Sequence, residues 1–166
     1  MKMTIQNRLH RNCANILFAS LCIAMTSTSA DAAPLAVGGS FGGGKIAYIL
    51  KPGDKGYDSK VQHGLVADTA DLSGVYDWPD ALAAAERLKK NGYSDWYLPD
   101  RNELDKLYAK KSAIGGFAKN PKKEIFYWSS SEKDPDYSWG QGFKTGKQYT
   151  TDKMSKTGHV RAVRPF

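Results

Sequence analysis

The segment Gly92–Asp100 reads GYSDWYLPD and decides the predicted fold. Asn91 and the glycine that follows it predict the end of a helix, because glycine adopts the left-handed conformation without a Cβ clash. Pro99 cannot continue a helix and favours extended geometry at the residue before it. Asp100 and Glu103 have the spacing of a capping box, in which each side chain binds a free backbone N–H at a helix start. The segment therefore predicts a helix end, a buried aromatic strand and a new helix.

Alternating and helical patterns predict further elements on both sides of this segment. A first helix is expected to begin at Asp77 or Trp78, with Pro79 in its first turn, and a second to cover 101–110. Residues 111–124 are expected to form a loop. Short strands are expected at 45–50, 63–68, 125–130, 138–144, 148–151 and 159–163. The predicted fold class is α+β, with two short helices packed on small antiparallel β-sheets.

The first 32 residues have the pattern of a secretory signal peptide. A basic start is followed by an apolar run over 14–25 and by Ala30-Asp31-Ala32, which resembles a cleavage site. The apolar run is shorter than the roughly 20 residues that span a bilayer, which disfavours an uncleaved anchor. A lipoprotein at Cys22 is disfavoured because Leu21, directly before it, is larger than the small residue that such cleavage requires. Residues 1–32 are therefore expected to be a signal peptide.

The remaining chain is expected to contain one domain. Residues 33–44 are rich in glycine and small residues and predict a flexible tether, and 45–166 predict a single domain. Both cysteines, Cys13 and Cys22, lie within the expected signal peptide. The mature chain is thus expected to have no disulfide, thiol nucleophile or thiolate metal site.

Three more strings, together with the segment quoted first, carry a family resemblance. They are VQHGLVA at 61–67, FYWSSS at 126–131 and VRAVR at 160–164. In this order they resemble the Lcl C-terminal domain family, the C-terminal domain of bacterial collagen-like adhesins, over roughly residues 43–166. The resemblance implies a C-type-lectin-like fold in an exported protein, related to a surface adhesin that binds sulfated polysaccharides. Most members have no established function, and the collagen-like repeats that would trimerise the adhesin are absent here.

Positive charge is concentrated in the second half of the chain. Residues 101–166 carry fourteen basic and seven acidic residues, whereas 33–100 carry seven basic and nine acidic residues. A one-sided basic surface attracts polyanions, although a solvated lysine-rich surface is the common alternative. Tyr137 and Trp139 could stack on sugar rings. The lysines predicted to contact an anionic glycan are Lys122, Lys123, Lys144, Lys147, Lys153 and Lys156.

Metal binding has little support in the sequence. Asp134 and Asp136 could supply oxygens to calcium, but the patterns of sugar-binding calcium lectins are missing and a solvated turn is favoured. His63 and His159 lack the clustered partners that zinc requires, and His63 is expected to bond to backbone. No metal site and no cofactor are predicted.

Catalysis is also disfavoured. Ser129-Ser130-Ser131 could supply a nucleophile only if a histidine and an acid converged on it. Asp95 and Asp100 are the one carboxylate pair that a glycosidase hypothesis would consider, and capping and turn roles are expected for both. Arg161 is expected to make structural hydrogen bonds, and Trp96 and Trp128 are expected to lie in the core.

The sequence therefore predicts an exported, non-enzymatic binding module that captures sulfated or uronic polysaccharide, or another polyanion, through its basic half. The alternative is a periplasmic or envelope domain that has a structural or protein-interaction role without glycan affinity. The expected location is the periplasm or the cell surface. No specific nucleic-acid partner and no membrane span after signal cleavage are expected, and the sequence leaves oligomerisation open.

Overall fold

A computed structural model describes residues 34–166 of the chain, and the predicted signal peptide at 1–32 lies outside the described residues. The fold class is α+β, as predicted, with short helices and small antiparallel sheets. In chain order the elements are β1 (Ser40–Phe41), β2 (Gly44–Ile49), β3 (Gly64–Ala67), α1 (Trp78–Glu86), α2 (Arg101–Ala109), α3 (Lys111–Ile114), β4 (Phe126–Glu132), β5 (Tyr137–Gly142), β6 (Gln148–Asp152) and β7 (Val163–Pro165).

The strands form two antiparallel sheets. One has the order β1-β2-β3-β7 and the other the order β4-β5-β6. The strands predicted at 45–50 and 63–68 are present as β2 and β3 and pair antiparallel, with Ile46 opposite Val66. In the second sheet, Tyr137 lies opposite Asp152 and Gln141 lies opposite Gln148.

The prediction of a flexible tether at 33–44 is wrong for its second half. The Gly38 N–H donates to the Ile46 carbonyl across 2.8 Å, and β1 pairs with the start of β2. Gly42 and Gly43 have φ angles of 52° and 82°, which is the geometry of a two-residue hairpin turn. The glycines that suggested flexibility therefore turn the chain back on itself.

The first helix begins as predicted but ends early. The Asp77 side chain accepts from the Asp80 N–H across 3.0 Å, and α1 ends at Glu86 instead of at the predicted stop. Asn91 and Gly92 have φ angles of 53° and 83°. They form the two-residue turn between Lys90 and Tyr93, which pair as an isolated antiparallel bridge. The predicted stop signal is thus a hairpin turn, since two positive φ angles in succession favour that geometry.

Two predicted strands are shorter than expected. Trp96 is buried, but the paired residue of this segment is Tyr97, whose N–H donates to the Val163 carbonyl across 2.8 Å. Similarly, the strand predicted at 159–163 is replaced by a bridge at His159 and by β7, which begins at Val163. Before β7 begins, single bridges and separate backbone hydrogen bonds, such as that from the Leu72 N–H to the Val160 carbonyl, hold this part of the chain in place.

The capping box at the second helix is confirmed. The Asp100 side chain accepts from the Glu103 N–H across 2.7 Å, and the Glu103 carboxylate accepts from the Asp100 N–H across 2.9 Å. The loop predicted at 111–124 begins instead with the short helix α3. The expected core positions of Trp96 and Trp128 are confirmed, and among residues 34–166 no helix is long and apolar enough to cross a membrane.

Candidate functional site

A cavity of about 550 Å³ opens between α3, the segment that follows it and the turn that joins β5 to β6. Its wall is the chain from 111 to 121, and its opposite side comes from Ile125, Phe143 and Lys144. The lining residues are Lys111, Ser112, Gly115, Gly116, Phe117, Ala118, Lys119, Asn120, Pro121, Ile125, Phe143 and Lys144.

A buried ion pair between Arg161 and Asp71 forms hydrogen bonds to the cavity wall on the side that faces the interior of the domain. The guanidinium of Arg161, which is 0 % exposed, donates through Nη1 to the Gly115 carbonyl and through Nε to Asp71. Asp71 Oδ2 in turn accepts from the Ala118 N–H across 2.8 Å. Two points of the wall are thus tied to one pair, and the predicted structural role of Arg161 is confirmed.

Tyr127 completes this network. Its hydroxyl donates to Asp71 Oδ2 across 2.5 Å, and it also accepts from the Ala118 N–H. Burial and the hydrogen bond to Asp71 raise the pKa of Tyr127 well above its usual range. The phenol therefore stays protonated and keeps donating to the carboxylate.

Gly116 allows the wall to pass close to the body of the domain. Its φ angle is 71°, and a Cβ atom there would lie 2.1 Å from the Thr69 carbonyl oxygen. Any other residue would push the wall outward, so the cavity shape depends on this glycine.

The floor is a packed aromatic cluster. The rings of Phe117 and Phe143 have centroids 4.8 Å apart, and the Tyr127 ring lies 4.2 Å from that of Phe143. Leu107 and Ile114 belong to the same buried cluster. Because interiors of this kind deform little, the floor is a fixed apolar surface.

Fixed ammonium groups surround the mouth. Lys111 Nζ donates to the Phe143 carbonyl across 2.6 Å and lies 4.0 Å from the centroid of the Tyr108 ring. Lys144 Nζ donates to the Pro121 carbonyl across 3.1 Å. An ammonium group has three donors, so both lysines keep hydrogens for a ligand while their position is restrained.

Further lysines continue this positive surface beside the cavity. Asn120 Oδ1 accepts from the backbone N–H of Lys122 across 2.9 Å and from that of Lys123 across 3.1 Å, which shapes the turn that carries both side chains. Lys147 lies at the end of the β5–β6 turn, where its carbonyl accepts from the Gly142 N–H across 2.9 Å. We call this set the lysine rim: Lys111, Lys119, Lys122, Lys123, Lys144 and Lys147.

The lysine rim is not neutralised by acidic neighbours. Within residues 34–166, none of its ammonium groups lies within 4.0 Å of a carboxylate oxygen. The nearby Glu124 carboxylate instead accepts from the Lys144 N–H and the Thr145 hydroxyl. Burial acts to raise the pKa of Glu124, but these hydrogen bonds outweigh it and the pKa is lowered.

The other predicted ligands lie at the opposite end of the β5–β6 hairpin. β5 runs from Tyr137 to Gly142, a length of roughly 17 Å at about 3.4 Å per residue. Tyr137 lies at the start of β5 and is 42 % exposed. Trp139 is half-buried, with the Arg101 guanidinium 3.8 Å from its ring centroid. The structure therefore separates the predicted glycan ligands into a group beside the cavity and a group at the other end of the β5–β6 hairpin.

Lys153, which the sequence predicted to contact a glycan, is instead engaged within the domain. The side chain is buried, and its ammonium group donates to the carbonyl oxygens of Asp134 and Pro135 and pairs with Glu132. These partners offset the cost of burying the ammonium group, since a buried charge without partners is strongly unfavourable. The Lys153 ammonium group therefore stabilises the turn that contains Asp134 and Pro135. Lys156 is exposed, with its Nζ 3.9 Å from Asp77.

The remaining candidates have structural contacts. Asp134 Oδ1 accepts from the N–H groups of Asp136 and Tyr137, as in an ordinary turn. Ser129 is buried and donates to the Trp139 carbonyl. Within residues 34–166, no group of three or more histidine, cysteine, aspartate or glutamate side chains is placed to hold a metal ion.

The carboxylates considered for glycosidase chemistry are also engaged. Asp100 caps α2, as expected. Asp95 instead binds Arg164 through two hydrogen bonds, of 2.7 and 2.9 Å, a pairing that the sequence did not predict. As expected, His63 bonds to backbone, with Nδ1 3.2 Å from the Phe166 carbonyl oxygen.

Sequence reasoning missed the residues that build the cavity. Phe117, Phe143 and Asp71 were not selected, because their roles depend on contacts between distant parts of the chain. Lys111 and Lys119 belong to the basic half but were not chosen as ligands. The Gly115-Gly116 pair next to Phe117 was the one local sequence signal of the sharp change in chain direction at the cavity wall, where both glycines have positive φ angles.

Comparison with known proteins supports the resemblance inferred from the four strings. A family model described as the Lcl C-terminal domain matches residues 58–164, which is more than half of the chain and includes every residue that lines the cavity. No curated protein is similar enough to this chain to match it.

Proposed function

Because the chain belongs to the Lcl C-terminal domain family, we propose that it is an exported, non-enzymatic module that captures anionic polysaccharide through the lysine rim. The carrying observation is that three rim lysines line one cavity and the other three lie within three positions of its lining in the chain. In the described chain no rim ammonium group lies within 4.0 Å of a carboxylate oxygen. Clustered charges of one sign raise the local concentration of a polyanion. Sulfated and uronic polysaccharides are among the polyanions that an exported protein meets, together with lipid head groups and extracellular DNA.

Lysine is suited to this kind of capture. Its ammonium group is a point charge on a flexible stem, whereas arginine binds an anion in a fixed two-point geometry. The exposed rim residues Lys122, Lys123 and Lys147 can therefore follow differently spaced sulfates. Binding by one domain should be weak, salt-sensitive and stronger when several copies are joined.

The proposal includes the fold and the location that the resemblance implies. We expect the C-type-lectin-like arrangement, in which loops at one end of the domain contact the ligand. The cavity wall and the β5–β6 turn would be those loops. A family of surface-associated domains and a signal-peptide pattern at 1–32 both support an extracellular or periplasmic location.

The direct test is titration of the protein with size-defined heparin fragments and with dextran, an uncharged polysaccharide, by calorimetry at two salt concentrations. We expect heparin binding that weakens as salt rises and no dextran binding, because the rim supplies charge and few other contacts. Equal affinity for both polymers, or no heparin binding at low salt, would contradict the proposal and favour the protein-interaction role.

A further inference from the structure

The interior of the cavity differs chemically from the lysine rim around it. Apart from the lysines and two other polar residues, the lining consists of aromatic and aliphatic side chains and two glycines. Phe117 and Phe143 form the floor and Ile125 a side. A polysaccharide lying across the rim would leave this apolar surface uncovered.

The lining has little capacity to bind the hydroxyl groups of a sugar. Apart from lysines, the polar side chains of the lining are those of Ser112 and Asn120. The Asn120 Oδ1 atom already accepts from two backbone N–H groups. A buried hydroxyl without a partner is costly, so a ligand with an apolar body is favoured inside the cavity.

The charges at the mouth indicate what such a ligand would carry. Lys111 and Lys144 are each held by a backbone carbonyl, and Lys119 lies beside them. Each held ammonium group has two hydrogens left for an acceptor. An anionic group at the mouth would therefore meet restrained donors while its apolar body covered the aromatic floor.

We propose that this cavity is a binding site for a small amphiphilic anion, an aromatic or short aliphatic body that carries one carboxylate or sulfonate. Its volume of about 550 Å³ lies in the usual range for small-molecule pockets. The site is separate from polysaccharide capture, since it uses the floor and wall, whereas the polymer needs the exposed rim. The two ligands share Lys144, so a long polyanion would compete with the anionic group.

The test uses two dyes with the same ring system. One is 1-anilinonaphthalene-8-sulfonate and the other is N-phenyl-1-naphthylamine, which lacks the sulfonate. We expect saturable binding of one sulfonate dye per chain, with an affinity about tenfold above that of the neutral dye, because charge-assisted hydrogen bonds favour the anion. Non-saturable binding, or equal affinities for the two dyes, would overturn the proposal.

Variants separate this site from polysaccharide capture. Ala118→Phe fills the cavity and should abolish dye binding while retention on heparin stays unchanged. Ala109→Phe places the same bulk on an exposed position outside the lining and should leave dye binding intact. Lys122→Gln with Lys123→Gln should reduce heparin retention and spare the dye. Dye binding that survives Ala118→Phe would place the dye elsewhere and refute the site.

A measurement on the unmodified protein covers the case in which Ala118→Phe does not fold. Addition of the sulfonate dye should shift the amide NMR signals of Gly115, Gly116 and Ala118. Signals from the small surface pocket at 89–94 should stay in place. Shifts confined to that pocket, or spread over the whole domain, would refute the proposal, and heparin titration reports independently on the polysaccharide site.

Discussion

Arg161 and Asp71, which are 90 positions apart in the chain, form a buried ion pair in which Nε donates to Oδ1 across 2.8 Å. The same guanidinium donates to the carbonyls of Asp68 and Gly115, and its Cζ atom lies 3.8 Å from the centroid of the Phe117 ring. The pair thus joins the end of the first sheet to the wall of the cavity. Stability and site geometry depend on the same contact.

We expect Arg161→Met to lower the free energy of unfolding by about 3–5 kcal/mol, because it leaves the Asp71 carboxylate buried without its partner. Urea denaturation measures this loss. Arg87→Met, at an exposed position, is the matched control and should change stability by about 0.5 kcal/mol or less. Adding Asp71→Asn to Arg161→Met should recover part of the loss. A cost below about 1 kcal/mol would show that the pair does not hold the wall.

The capping box at α2 gives a second prediction. Asp100→Ala should cost about 1 kcal/mol, since the Glu103 N–H loses its acceptor at the helix start. Asn102→Ala, at an exposed position in the same turn, should be close to neutral. Thermal unfolding of the two variants makes the comparison, and equal melting temperatures would mean that the box contributes nothing.

The capping box is also the clearest case in which the local sequence was sufficient to predict the structure. Asp100 and Glu103 are three residues apart, so their geometry follows from the helix itself. Asn91 and Gly92 show the limit of the same reasoning. Their preference for positive φ angles was correctly anticipated, but it suits a helix end and a hairpin turn equally well. Tertiary contacts decided between the two.

The candidate site was less predictable, because its parts are distant in sequence. The excess of lysine in the second half of the chain was visible in the composition. The separation of these lysines into two groups at opposite ends of the β5–β6 hairpin was not. The length of β5 separates Lys144 from Lys153, and the burial of Lys153 depends on the turn at 132–136. The Asp71 carboxylate, which organises the cavity wall, has no local pattern that would reveal it.

Lys153 should behave as a structural residue. Lys153→Gln should lower the free energy of unfolding by about 1–3 kcal/mol, because the turn carbonyls of Asp134 and Pro135 lose a charged donor. Its heparin retention should nevertheless stay near that of the unmodified protein. Lys123→Gln should show the reverse, with unchanged stability and reduced retention. Strong loss of retention in a fully folded Lys153→Gln variant would contradict its structural assignment.

The Asp95–Arg164 pair predicts an acid-sensitive contribution to stability. The hydrogen bonds from Arg164 lower the pKa of Asp95 in the folded state. A carboxylate with a lowered folded pKa stabilises the fold above its unfolded pKa of about 4, and this contribution disappears as pH falls through the folded value. The stability difference between the unmodified protein and Asp95→Asn should therefore be constant from neutral pH to about pH 5 and shrink below pH 4.

Denaturation of both proteins across this pH range gives the difference directly. Asp80→Asn, at an exposed position in the first turn of α1, is the control for general charge effects. A difference that stays constant down to about pH 2, or that grows as pH falls, would be inconsistent with a lowered pKa at Asp95.

The central claim is that the position of the lysine rim, rather than net charge, determines polyanion binding. Its most direct test compares two variants that each lose four positive charges, by elution from immobilised heparin in a salt gradient. One carries glutamine at the rim positions Lys122, Lys123, Lys144 and Lys147. The other carries glutamine at exposed lysines outside the rim: Lys51, Lys55, Lys60 and Lys89.

We predict that the rim variant elutes at clearly lower salt and binds heparin about tenfold more weakly, because each exposed ammonium–sulfate pair contributes about 0.4 kcal/mol to binding. The remote variant should elute close to the unmodified protein. Equal shifts for the two variants would mean that overall charge alone explains retention, and the lysine rim would then not be the polysaccharide site.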